Sequence, residues 1–199
     1  DRDAEAIATA KAAFCDNEKL TFHCADVHED FRDQVGGGFD VAFLQCGLGH
    51  FRLGSVALRQ VARALRPAGA ILLLDSTERN FEHPHPSSLV FANAIRAAWP
   101  QYGTYAAGDR HEELLSEAGF IDIVSRPQNH PFGGESAMGQ ANFINLMQLL
   151  RSMRLSLVER AKVISADEFD EHWSRLNAAN DPQKEGTSYF QQTVARKPA

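Results

Sequence analysis

Residues 40–46 are apolar almost without interruption, and a run of that length beginning at an Asp and ending at a glycine predicts a strand covered on both faces, central in its sheet. A second run, "AILLLD" at 70–75, has the same character. Between them Leu58, Val61, Ala62 and Leu65 recur at helical spacing, and Pro67 with Gly69 ends that helix. Two apolar strands joined by an amphipathic helix form a right-handed parallel crossover, the unit of an open α/β sheet.

The flanking patterns are less regular. The chain begins in a helical pattern with Ile7, Ala10 and Phe14 on one side, and "LTFHCAD" at 20–26 alternates as a short strand would. A weak helix at 27–34 stops at Gly36–Gly38. After residue 76 the pattern loosens, then predicts a helix at about 89–99. A second helix starts at Asp109, with Glu112 at capping-box spacing, and closes at Gly119; a strand follows at 120–127. Helices are expected at 137–153, 155–163 and 167–177, the last capped by Ser165 with Glu168 three positions on, and a strand at 187–196.

With 199 residues and 44% hydrophobic content, the chain can bury the core of one domain. A formal net charge of -6 with scattered basic residues argues against nucleic acid as a partner. Cys15, Cys24 and Cys46 form no CxxC pair and leave an odd thiol in any disulfide scheme, so a reducing, cytoplasmic setting is expected. No apolar stretch is long enough to span a bilayer as a helix, so no membrane partner is expected either. His83 and His85 in "HPHP" lack supporting ligands at metal-site spacing, and the expectation there is a proline-stiffened loop with no metal.

Glycines at Gly47 and Gly49 followed by a helix, a strand and Asp75 also sketch a dinucleotide-binding unit, which would make the chain an NAD(P)-dependent oxidoreductase. Asp75 follows Gly47 by 28 positions where about 20 are expected, and no glycine stands three after Gly49.

"FDVAFLQCGLGHF" followed by "ALRQVARALRPAGAILLLDS" resembles the central segment of the class I methyltransferases that use S-adenosylmethionine: the fourth strand opening with an Asp, its Leu-x-His-like loop, and a helix ending in a Leu-Arg-Pro-Gly-Gly-like turn before the fifth strand. "LTFHCADVHED" is similar to the family's third strand, "DRDAEAIATA" to the turn and helix after its second, and "HEELLSEAGFIDI" to its next helix and sixth strand. The resemblance implies a Rossmann-like open α/β sheet, mostly parallel with an antiparallel last strand and a helical insert before it. As a single domain over 1–199, residues 1–126 and 186–199 would form the core and 127–185 an insert or lid. The family's first strand, glycine-rich loop, first crossover helix and second strand have no counterpart. The expectation is that the sequence is a piece of a longer protein or that another chain supplies them, and a sheet without them would expose apolar edges.

The resemblance also implies site residues. Asp1 would accept from the ribose hydroxyls and Asp26 from the adenine amine beside the Val27 backbone, though Asp26 could instead cap the following helix. Gln45, Cys46 and Gly47 would line S-adenosylmethionine. His50 is placed to take a proton from the acceptor, as an imidazole can near neutral pH, or simply to pack. Phe51, Tyr102 and Tyr105 would touch the acceptor, with Trp99 in the core. The 138–154 region would be a lid over it or a face of a homodimer. The implied function is methyl transfer to an O or N atom of a small, partly apolar metabolite, as in secondary metabolism. A non-catalytic scaffold of the same fold is the alternative.

Overall fold

The computed structural model describes residues 1–179 and 185–199. Residues 180–184, within the expected insert, lie outside the described residues. The crossover forms as the pattern requires. Strand β1 (Phe39–Gln45) leads through helix α3 (Gly54–Ala64) to β2 (Leu65–Glu82), and the two strands pair in parallel. The sheet continues with β4 (Glu185–Arg196), antiparallel to β2, and ends with β3 (Ile121–Gly133), giving the order β1-β2-β4-β3.

Helix α3 is held by Leu58 and Val61, which pack with Ile71 and Leu73 of β2 and with Leu114 and Leu115 of α5 (His111–Glu117) in one apolar cluster. A second cluster is mainly helical. Helices α4 (Pro86–Ala98), α6 (Ala137–Arg154) and α7 (Ala166–Ala178) bury Phe91, Phe143, Leu150, Phe169 and Leu176 against Phe81 of β2 and Phe132 of β3. Ser165 caps α7 by accepting the Glu168 backbone N–H at 3.2 Å, as its spacing predicts. A π-helical stretch, Leu155–Arg160, takes the place of the helix expected at 155–163.

Four expectations are corrected. Strand β1 lies at the sheet edge, with Phe39, Val41 and Phe43 45–60% exposed, because among the described residues no strand pairs with its outer side and only Ala42 and Leu44 face packed neighbours. The apolar edge expected of a sheet ending there is therefore present. Residues 20–26 are not a strand; without a ladder partner, the Ala25 N–H is donated to the Asp1 carbonyl at 2.9 Å. The helix expected at 27–34 shrinks to α2 (Arg32–Val35), closed by Gly36 at φ +82°, and Asp26 caps no helix. Asp109 is not a helix cap, because its carboxylate is committed to the Glu78 N–H at 2.7 Å.

Strands β2 and β3 also run past their expected ends. The first half of β4 pairs with both, Ser188 opposite Phe81 on one side and His130 on the other, so residues far apart in sequence extend the ladder. Pro127 and Pro131 are tolerated in β3 because it is an edge strand. His83–His85 form the loop that leads into α4, where His85 caps the helix by accepting the Ser87 N–H and Pro86 occupies the first turn.

Candidate active site at the strand ends

At the end of β1 the chain turns at Cys46, whose φ of 51° is left-handed, and then makes one 3₁₀ turn over Leu48–His50. A second loop, 99–105, lies across it. The Gly49 carbonyl accepts both the Trp99 indole N–H and the Thr104 N–H at 3.0 Å, and the Thr104 hydroxyl donates to the Phe51 carbonyl. This approach needs glycine at 103, where a Cβ would fall 2.0 Å from the Gly49 carbonyl oxygen. The two loops fix His50, whose ring rests against Trp99 with centroids 5.2 Å apart.

Two hollows border this junction. A cleft of about 980 Å³ is walled by Asp1, Asp26, Val27, His28, Gly47 and Phe51, with His50 and Tyr102 also in its wall. A more enclosed, largely apolar cavity of about 420 Å³ lies beneath α6, between Trp99, Tyr105, Leu146, Met153 and Leu157, and is also bordered by His50 and Tyr102. Asp75 of β2 and Cys46 and Gly49 of the loop after β1 also line it.

The expected site residues divide between the two. Asp1, Asp26, Val27 and Gly47 share the cleft; Cys46 and Tyr105 line the cavity; His50 and Tyr102 line both. Phe51, expected at the acceptor, stands in the cleft, and Gln45 lines neither hollow because it ends the exposed edge strand. The tyrosine hydroxyls already donate to backbone carbonyls, Tyr102 to Ser156 at 3.3 Å and Tyr105 to Glu78 at 3.1 Å. Either oxygen can still accept a hydrogen bond.

Asp26 accepts both the backbone N–H and the ring Nδ1–H of His28, at 2.9 and 3.0 Å. Those bonds, with the His28 and Arg2 charges behind them, hold its carboxyl below the usual value. Its other oxygen lies 3.6 Å from Arg2. The Cys46 thiol is pushed up, first by desolvation and then by the Asp75 carboxylate. The sequence reading gave no role in the site to His28 or His111. The Nε2 of His28 is buried with no hydrogen-bond partner, and His111 is bonded to Asp75.

Residues 1–73 match the family model described as "Methyltransferase domain". No curated protein sequence matches the chain. Among solved structures, a Haemonchus contortus phosphoethanolamine N-methyltransferase in complex with phosphomonomethylethanolamine and S-adenosylhomocysteine is 16% identical with a TM-score of 0.53, over 97% of this chain and 41% of that one. The CurJ carbon methyltransferase is 16% identical with a TM-score of 0.53, over 100% and 40%. The [4+2]-cyclase SpnF is 17% identical with a TM-score of 0.57, over 100% and 65%. The chain thus spans less than two thirds of each of these proteins. Three chemistries on one fold leave the reaction to be argued from the site. The match at residues 1–73 makes that stretch similar to the methyltransferase domain family, and the solved structures show that the chain shares the open α/β fold of such proteins.

Proposed function

We propose that the chain binds S-adenosylmethionine in the cleft and a small, partly apolar acceptor in the cavity, and that it supports methyl transfer to an O or N atom at the junction. The observation that carries this reading is that the two hollows share His50 and Tyr102, so contents of both would meet there. The cleft suits the cofactor on its nucleoside side. Its volume is in the range of small-molecule sites. Asp1 and Asp26 offer carboxylate oxygens to hydroxyl and amine donors, and the unpartnered His28 Nε2 lies beside them.

When bound, the cofactor supplies a methyl group already activated on a sulfonium. The protein's part is then alignment and exclusion of water. Loops 47–51 and 99–105, bonded to one another, set the line between the hollows. The apolar cover from α6 and Leu157 keeps the acceptor side dry. The His50 imidazole, at the shared border, receives the proton that the acceptor O–H or N–H releases as the new bond to carbon forms.

The test is calorimetric titration with S-adenosylhomocysteine, with NAD as control. Saturable binding of the first alone is the expected result. Binding of NAD alone would favour an oxidoreductase, and binding of neither by a folded chain would favour a scaffold. The domain division, a core of 1–126 and 186–199 with 127–185 as lid, belongs to this proposal, since α6 roofs the cavity.

A further inference from the structure

The cavity is lined by apolar side chains and by polar ones such as His50, Asn80 and Thr104, and it holds one carboxylate. Asp75, within β2 just before the break in its pairing with β4, is the only carboxylate among the described residues lining it, and no lysine or arginine lines it. Asp75 is 2% exposed, and a buried carboxylate is costly unless it is bonded. Its bonding is specific. One oxygen lies 3.2 Å from Nε2 of His111, a residue 1% exposed at the start of α5, and the other accepts the Gly49 N–H at a long 3.4 Å. His111 is itself fixed from behind. Nδ1 is 2.9 Å from the Thr193 hydroxyl, which is 3.0 Å from the Ser125 hydroxyl. With Nε2–H donating to the carboxylate and Nδ1 hydrogen-bonded to the Thr193 hydroxyl, which is bonded in turn to Ser125, β4 and β3 hold the ring in one orientation.

This network is more than the packing of α5 requires. A carboxylate has about four acceptor positions, and the protein occupies two, one of them weakly. We infer that Asp75 is the acceptor-binding group of the cavity and His111 its positioning residue. The acceptor is then an apolar molecule carrying an O–H or N–H donor in addition to the atom that is methylated. This rests on the reading of the cavity as the acceptor site. The donor supplies the hydrogen bond the carboxylate lacks, and the hydrocarbon body fills the space between Trp99, Leu146 and Met153.

The test uses naphthalene, 2-naphthol and 2-naphthylamine as probes, titrated into the chain saturated with S-adenosylhomocysteine. A hydrogen bond to an ionised group in a dry site corresponds to a preference of roughly 10- to 100-fold for the donor-bearing probes over naphthalene. Asp75→Asn should cut that preference to roughly 3- to 10-fold, the square root of the native value, since neutral pairs are roughly half as strong. His111→Ala should lower it similarly, and His111→Gln, which can still donate to Asp75, should restore most of it. Affinity for S-adenosylhomocysteine, unchanged in all three variants, shows that the fold and the cleft survive. Equal binding of all three probes to the native chain overturns the inference and leaves the acceptor-site reading standing. A preference that survives Asp75→Asn but not His50→Ala also overturns it. Binding of no probe sinks the acceptor-site reading, and this inference with it.

Discussion

On one face of the sheet Ile71, Leu73 and Ala195 are buried beneath α3 and α5, whereas on the other a row running across all four strands, Phe43, Leu72, Val194 and Val124, is open or only half-covered. The same contrast divides the chain along its length. No residue before Leu48 is buried, yet residues 1–47 supply most of the cleft wall, while the cavity is built into the packed remainder. The two halves of the site therefore rest on unequal foundations. Burial sets local stability, so the cleft wall belongs to the part of the molecule that opens most readily, and a ligand that orders it gives up part of its binding energy in doing so.

Substitution on the two faces separates them most strongly. Leu73→Ala, in the covered face, should destabilise by about 2–5 kcal/mol, whereas Val124→Ala, in the open row, should change stability by about 0.5 kcal/mol or less. Denaturant unfolding measures both. Similar losses would mean that the open face is covered in solution.

The covered side was the legible one. The two strands and the helix of the crossover, the turn at Leu-Arg-Pro-Ala-Gly and the Ser165 cap are local features, each readable within about a dozen residues. The turn takes its form from Ala68 at φ 58° and from Gly69, whose Cβ would meet the Arg66 carbonyl at 2.9 Å. What escaped the sequence is decided by distant partners. Residues 20–26 alternate as a strand does but have nothing to pair with, and β2 outruns its apolar stretch because β4 pairs with it more than a hundred residues later. Asp109 had the spacing of a cap, but the N–H of Glu78 took it. Asp75 stood out only as the acid that follows the second strand in the dinucleotide reading. No local pattern could have joined it to His111, although a histidine among the polar residues that open α5 was a faint signal.

A smaller loss is expected at the joint between the loops. Gly103→Ala would force a Cβ into the Gly49 carbonyl, so the loops must part. Overpacking of this kind costs about 1–3 kcal/mol. Because the same contact sets His50 beside Trp99, probe binding in the cavity should weaken along with stability. An unaltered melting curve with unaltered probe affinity would mean that the loops are not stitched as described.

Helix caps provide a matched comparison at still smaller scale. Ser165 caps α7, which buries Phe169 and Leu176, and Asp3 caps α1 (Ala4–Ala13), which buries nothing. The chemistry is the same: a side-chain oxygen accepts an N–H of the first turn. Ser165→Ala should cost about 1 kcal/mol of global stability. Asp3→Ala should leave global unfolding unchanged and accelerate amide exchange only within α1, because a helix without packed neighbours can fray without unfolding the rest. Equal effects on global unfolding would mean that α1 is packed in solution.

The smallest effect concerns Asp26 and follows from the direction of its shift. Its carboxyl lies below the ordinary 3.8, first because it accepts the His28 backbone N–H, then because it accepts the ring N–H. A carboxyl with a lowered folded value binds its proton less readily when folded than when unfolded. Its stabilising bonds are thus fully present above 3.8 and are lost as the pH falls through the lowered folded value. In a region without buried residues this loosens the turn at 26–28 rather than unfolding the chain. Affinity for S-adenosylhomocysteine should consequently fall in acid before the melting temperature reports any change attributable to this residue. Asp26→Asn should remove that part of the pH dependence, because the amide does not titrate, and lower the affinity at neutral pH. If the variant keeps the native acid profile, the cleft is governed by another group, with Asp1 the nearest carboxylate to examine next.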